Sequence, residues 1–582
     1  MKIIKKLLES VNGYWRSTIL TPIYVSLEVV VDTLIPFTMT YLLKSLQQGE
    51  LTPVFIYGGI IIALAFAALA LGALSGAQCA ISSSGFARNL RRNMFYKIQT
   101  FSFNNIDKFS NASLITRMTT DVAFVQNAFM MIIRTAVRSP LVLIFAVVMS
   151  IIIGGPISLI YVVIIPVMIA ALLLIFMMAS RHFKKVFKKY DKLNNVVEEN
   201  ISGMRVVKSN VREKHEIEKF SESANDIYAI FSKAQGIIVF AGPVMQLSMY
   251  TCITLIFYFG AKAILGEGVL DLEELSALIT YAMQVLMSLM MLSMIFVQTV
   301  IAKSSAERIY EVLTETPDIV NKENALTTVK DGSIDFDNVS FKYSAGAEID
   351  SLSKIDLHIA SGETIGVLGS TGSGKTTLVQ LIPRLYDVTE GSLRVGGENV
   401  EDYDLTALRK SVSMVLQKNV LFSGTVRENL LWGKEDATDE EIARALEISA
   451  SDEFVQRIGG LEARIEQSGA NLSGGQRQRL CIARAIIGNP KILIMDDSTS
   501  AVDMNTDLNI RKAFKEFMPE TTKIIIAQRV ASVSSCDRII VMEDGKINAV
   551  GTHDELLASN EIYRDIYQSQ TNEGGDFDVV KN

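Results

Sequence analysis

Six apolar stretches constrain this chain more than any other feature in it. They lie at residues 17–43, 54–80, 130–153, 157–180, 236–264 and 276–301. Each approaches or exceeds the ~20 mostly apolar residues that cross a bilayer. In hydrocarbon a spanning segment must satisfy its own backbone N–H and C=O groups, so each stretch is predicted to be an α-helix. They account for a mean hydropathy of +0.29, high for a chain wholly in water. Residues 325–570 read differently, as a water-facing α/β domain. A chain of 582 residues has room for two such parts.

Charge predicts how the spans are oriented. The connections after the second and fourth stretches are about 50 residues long and basic, with Arg88, Arg91, Arg92, Lys97, Lys108 and Arg117 in one and Lys184, Lys185, Lys188, Lys189, Lys192, Lys208, Arg212 and Lys214 in the other. The short connections carry only Lys44 and Lys262. The excess of Lys and Arg places the long connections, and with them both termini, on the cytoplasmic side of a multi-pass protein of the cell membrane. The long excursions are predicted to turn on transverse helices near residues 105–117 and 212–220. Such helices could touch the soluble domain and couple it to the spans; solvated loops near lipid headgroups are the alternative. Lys2, Lys5 and Lys6 precede no apolar core with a small-residue cleavage site, so the N-terminus reads as an interfacial amphipathic segment. A net charge of −7 gives no footprint for nucleic acid. The four cysteines are too far apart for a metal motif or a disulfide framework.

The soluble part is organised around Gly369-Ser370-Thr371-Gly372-Ser373-Gly374-Lys375-Thr376-Thr377. An apolar run, 364–368, precedes it, and a helical pattern, 378–382, follows it. Strand, glycine loop and helix are what a P-loop needs: backbone N–H groups cradle phosphates, Lys375 reaches the β and γ phosphates, and Thr376 ligates Mg²⁺. Further motifs follow in order. Gln417 ends an apolar run. Leu472-Ser473-Gly474-Gly475-Gln476 opens a helix. A buried-strand pattern ends in Asp496 and Asp497, then come Ser500-Ala501-Val502-Asp503, and a last apolar strand ends in Gln528.

With these motifs in this order the chain resembles one half of an ABC transporter, in the exporter arrangement. The resemblance implies an α-helical membrane domain with six long transmembrane helices (1–314) and an α/β P-loop ATPase domain of ABC type (332–567); the polar stretch 315–331 reads as a linker and the polar end 568–582 as a disordered tail. It implies ATP and Mg²⁺ as cofactors, with Thr376, Gln417 and Asp496 toward the metal. Tyr343 matches the aromatic that stacks on adenine, with a core-strand tyrosine as the plain alternative. Leu472, Ser473, Gly474, Gly475, Gln476 and Asp503 match positions that face a nucleotide held by another subunit.

Two positions depart from the family. Asp497 stands where a glutamate usually serves as general base, and it is shorter by a C–C bond of about 1.5 Å. Gln528 stands where a histidine usually forms the switch. Glutamine donates a hydrogen bond but cannot shuttle a proton. Gln467 also replaces a usual glutamate just before the signature. The chain therefore resembles the degenerate-site subunit of a bacterial heterodimeric multidrug exporter. Its own site would bind ATP and hydrolyse it slowly, while its signature would complete the hydrolytic site of a second half-transporter. A slowly hydrolysing homodimer and an ATP-gated regulator or channel are the rival readings.

In the membrane half, Met283, Met287, Met290, Met291 and Met294 share one helical face, suited either to a small hydrophobic substrate or to packing against lipid and helices. Glu28 and Asp32, with Arg134 and Arg138, are expected to form an ion-pair cluster. Recognition of a cationic substrate by Glu28 or Asp32 is the functional alternative.

Overall fold

The computed structural model describes residues 2–267, 270–344, 346, 349–497 and 502–572. It divides into two compact units, Met1–Gln99 with Asn111–Glu315, and Thr100–Ser110 with Thr316–Asn582.

The first unit is helical. A short α1 (Lys2–Leu8) precedes α2 (Trp15–Gln47) and α3 (Leu51–Gln99). The chain leaves the unit for α4 (Phe103–Phe109) and returns with α5 (Asn111–Thr116), α6 (Val122–Ile133), α7 (Thr135–Gly154) and α8 (Leu159–Ser202). Then come α9 (Met204–Ser209), α10 (Glu213–Val239), α11 (Ala241–Lys262) and α12 (Leu272–Thr314). Five helical runs among the described residues are long and apolar enough to cross a membrane. The count differs from six because the stretches at 130–153 and 157–180 share the run Asn111–Ala179. They are separated inside it by the break at Gly155–Ser158, where Gly155 takes φ +46°. A side chain there would be strained, so glycine marks the corner.

The helix α12 is the centre of this unit. Its buried face, including Leu278, Tyr281, Ala282, Val285 and Leu289, packs on α7 and on Tyr161 of α8. Tyr161 donates to the Leu278 carbonyl at 3.0 Å and Tyr281 to the Thr33 carbonyl of α2 at 2.8 Å. Buried tyrosines of this kind keep their packing area only if the hydroxyl finds an acceptor. Near its C-terminal end α12 is fixed by Arg308, which donates to the buried Asp121 at 2.7 Å, with Ser305 donating to the same carboxylate at 2.9 Å. Nothing in the sequence marked Asp121 as a partner of α12.

The transverse helices are placed differently from the expectation. In place of one helix at 105–117 there are α4 and α5, separated by Ser110 at φ +56°. Ser102 and Asn105 form a reciprocal cap that starts α4 early. Residues 212–220 are the first turns of the long α10; the short helix of that excursion is α9, set off by Val211 at φ +54°.

In the second unit six strands form a sheet in the order Lys546–Gly551, Arg538–Glu543, Thr364–Gly369, Thr522–Ile526, Ile492–Asp496, Val412–Val415. All neighbours but the first pair are parallel. Alternate residues of one strand enter opposite cores, Leu493 and Met495 on one face, Ile492 and Ile494 on the other. A parallel sheet covered on both faces reads as a continuous apolar run, which is how 492–495 reads. A smaller antiparallel sheet pairs Ile334–Phe341 with Leu352–Ile359 and Glu390–Val395.

The helix α4 belongs to this second unit. Asp107 accepts from the Tyr386 hydroxyl at 2.7 Å, and Asn104 donates to Asp318 at 3.0 Å. The stretch expected as linker is fastened as well: Leu326 N–H donates to Asp402 O at 2.8 Å, and Asp404 N–H to Leu326 O at 2.9 Å. The last helix runs Glu561–Asn572, so residues 568–572, expected to be disordered, are helical; 573–582 lie outside the described residues.

Candidate active site

The P-loop turns where only glycine fits. Gly369 has φ +154°, and a Cβ on it would come within 2.3 Å of the Met542 carbonyl. Gly374 has φ +92°, with a Cβ 2.9 Å from the Ser351 carbonyl. Backbone approaching this closely leaves no room for a side chain at either position. The helix α13 (Lys375–Leu381) begins at the next residue. Lys375 Nζ crosses the loop, donating to Gly369 O at 2.8 Å and Ser370 O at 2.7 Å. Burial draws the Lys375 ammonium down from its ordinary value, against the pull of Asp496 and Asp497.

Asp496 ends the wholly buried strand Ile492–Asp496, and Asp497 follows it. Thr376 Oγ1 donates to Asp496 Oδ2 at 2.9 Å. A hydroxyl and a carboxylate so close are two of the hard oxygen ligands that Mg²⁺ takes, the rest coming from water and phosphates, so this chain fits the cation. Burial pushes the Asp496 carboxyl above the ordinary range, the Thr376 hydrogen bond opposes this, and the like charge of Asp497 adds to it.

Asp497 takes φ +48° and donates its N–H to Ile526 O at 3.0 Å, which anchors the chain as it leaves the sheet. Its carboxylate accepts from Gln528 Nε2 at 2.8 Å, and the Gln417 amide borders the same cavity. Burial raises this carboxyl too, and those amides and the Lys375 and Arg529 charges oppose the rise. The two positions that depart from the family are thus bonded to each other.

Tyr343 stands at the rim. Its hydroxyl bonds Thr377 at 3.0 Å and Gln380 at 3.1 Å, and its ring meets Tyr386 edge-on at 5.1 Å. With 43 % of its surface exposed it keeps a face available for stacking, unlike a core tyrosine. Tyr343, the loop from Gly369 to Thr377, Gln417, Asp496, Asp497 and Gln528 border one cavity of about 1040 Å³, except that Ser373 is buried beneath it.

The remaining expected residues do not line this cavity. Ser473 caps the helix Gly474–Ile486: its N–H donates to Gln476 Oε1 at 2.9 Å, and Gln476 N–H returns a bond to Ser473 Oγ at 3.3 Å. Leu472 is buried beneath this turn, whereas Ser473 is exposed and Gly474 and Gly475 are half-exposed. Asp503 caps the helix Met504–Phe517 by accepting from Thr506 N–H at 3.0 Å, which holds its carboxyl below the ordinary range. Ser500 and Ala501 lie outside the described residues.

The structure adds residues that the sequence reading missed. Ile562 and Ile566 of the last helix line the cavity. Gln570 of that helix donates to Gln528 O and accepts from Val530 N–H, both at 2.8 Å. The spacing of Ile562 and Ile566 is helical and could have revealed the helix; nothing local marks Gln570.

Comparison with known proteins agrees with this geometry. A family model for the ABC transporter transmembrane region matches residues 19–289, and one described as ABC transporter matches 352–500. The chain is 34 % identical over 545 residues to the uncharacterized ABC transporter ATP-binding protein YfiB of Bacillus subtilis (strain 168), covering 93 % of this chain and 94 % of YfiB. It is 31 % identical to an ATP-dependent lipid A-core flippase of Desulfotalea psychrophila, over 83 % of this chain and 84 % of the flippase. Its fold matches that of a bacterial Atm1-family ABC exporter with ATP bound, with a TM-score of 0.81 at 21 % identity, over 97 % of this chain and 100 % of the other.

Proposed function

Since the chain belongs to the ABC transporter family, with a transmembrane region fused ahead of an ATP-binding domain, we propose that it is the slow-site half of a heterodimeric ATP-driven exporter. One observation carries the reading: Asp497, in the general-base position, is hydrogen-bonded to Gln528, in the switch position.

The P-loop and Lys375 hold the phosphates of ATP, and Thr376, Asp496 and Gln417 hold Mg²⁺, directly or through water. Mg²⁺ held there would supply neutralisation of phosphate charge. The poor step is activation of water. A base must reach its proton at about 2.6–3.2 Å, and losing a positioned base costs about 10²–10⁴ in rate. The Asp497 carboxylate is one methylene short and already accepts from the Gln528 amide. Gln528 offers a phosphate a hydrogen bond but no charge and no proton.

Ser473, Gly474, Gly475 and Asp503 lie outside this chain's own cavity, as residues serving a second subunit's nucleotide would. This chain's signature then completes the productive site of the partner half, while its own P-loop holds ATP as a clamp between the two. The assembly sits in the cell membrane with both termini cytoplasmic, a reading supported by the basic long connections.

The transported compounds are hydrophobic or amphipathic. All five methionines of the α12 face are exposed in this chain, and a flippase of lipid A-core is among its relatives. ATP-dependent uptake of an amphipathic dye into inside-out vesicles holding both halves tests the exporter reading; ATP-gated ion currents without uptake would contradict it.

A further inference from the structure

A cavity of about 430 Å³ lies between α2, α7 and α12, with Met287 and Met291 on its apolar wall. Charged side chains form the other wall, and charges inside a span persist only where they are paired or used. Arg138 is paired: it donates to Glu28 and, at 2.8 Å, to Asp32. Arg134 is not. Among the described residues it meets no carboxylate, and its hydrogen bond is a long one, 3.5 Å to the Gly72 carbonyl of α3. Glu28 also lies against Gly72; its Oε1 accepts from Arg138, while its Oε2 is buried with no hydrogen-bond partner. The four charges balance in number, but Arg138 takes both carboxylates, which leaves Arg134 on this wall without one. Gln284 of α12 lines the same space, and its amide oxygen is buried with no hydrogen-bond partner. A buried acceptor left unpaired is costly, and a donor on an occupant would relieve it.

We propose that this cavity binds an amphiphile carrying an anionic phosphate or carboxylate. The anion sits on Arg134, whose planar fork suits both groups. A hydroxyl of the same headgroup donates to Gln284. The apolar tail lies along Met287 and Met291, which adapt to its shape. Low polarity around the site strengthens the charge pairing. The inference rests on the exporter reading for its purpose, but binding can be measured without transport.

The test uses the full-length protein in nanodiscs of phosphatidylcholine. Dodecyl phosphate, whose monoanion keeps a P–OH donor, is compared by thermophoresis with dodecyltrimethylammonium, which has the same tail. Dodecyl phosphate should bind at least about tenfold more tightly, the size of one charge-assisted hydrogen bond. Arg134→Gln should abolish that preference, and Arg134→Lys should keep part of it. Displacement of the probe by inorganic phosphate would mark a soluble anion as the natural source; displacement by phosphatidylglycerol in the nanodisc would mark a lipid. Equal binding of the two detergents, or an unchanged preference in Arg134→Gln, overturns the site. Should Arg134→Gln fail to fold, Gln284→Leu, which keeps every charge, must weaken dodecyl phosphate several-fold; unchanged affinity there overturns it as well. ATP-driven transport indifferent to Arg134 would sink the site and leave the exporter reading standing. Arg134-dependent binding without ATP-driven transport would do the reverse.

Discussion

Asp497 and Gln528 could be picked out from the sequence because each stands at a position whose chemistry is specific: a base of fixed reach and a side chain that carries a proton. What the sequence could not disclose is that the two are bonded to each other at 2.8 Å. That arrangement predicts a joint effect. In the assembled complex, Asp497→Glu or Gln528→His alone should change hydrolysis at this site by less than about threefold, and the pair together by about tenfold or more. Single-turnover hydrolysis with the partner's P-loop disabled reads this directly. The acid side of the site is predicted too. Mg²⁺ needs Asp496 ionised, and Asp496 is held above the ordinary carboxylate range, first by burial and further by the charge of Asp497. As pH falls through that raised value, Asp496 takes up a proton and Mg-dependent nucleotide affinity drops. Asp497→Asn removes the like charge, so the midpoint of the loss should move to lower pH in a titration of fluorescent-ATP binding at fixed Mg²⁺.

At the scale of elements, the spanning stretches were legible because length and apolarity are enough to demand a helix. Their ends were not. Polar helix beyond the bilayer carries no apolar period to set its bounds, so the cap at Ser102 and the turn at Val211 moved both transverse helices from where they were expected. Contacts between elements were hidden for the same reason. Asp121 is 1 % exposed and joins Arg308 and Ser305 of α12 across 184 residues or more of sequence. Asp121→Ala should lower thermal stability in detergent by about 1–3 kcal/mol, reduced from the usual buried-pair value because Arg308 is partly exposed. Ser305→Ala should cost less, about 1 kcal/mol. The last helix makes a further prediction. Gln570 holds the backbone on both sides of Arg529. Gln570→Ala should speed hydrogen exchange of the Val530 amide by about 2- to 10-fold, with the central strands of the sheet unchanged.

For the whole molecule, the order of motifs gave the division into a membrane part and an ATPase part, and the physical reason is simple: one half can satisfy its backbone only as helix, while the other alternates strands and helices around a phosphate loop. The unit boundary needed the structure, because α4 lies within the membrane part of the sequence yet packs with the ATPase fold through Asp107 and Tyr386. The division of labour between two nucleotide sites is the central claim, and ATP hydrolysis by the purified chain tests it most directly, first alone and then assembled with a partner half that has Glu and His at the positions of Asp497 and Gln528. A division of labour predicts that the chain alone binds ATP yet turns over about 10²–10⁴ times more slowly than the assembled pair. It predicts that the pair's activity is lost with Ser473→Arg in this chain and largely survives Asp497→Asn. Brisk hydrolysis by this chain alone, abolished by Asp497→Asn, would contradict it.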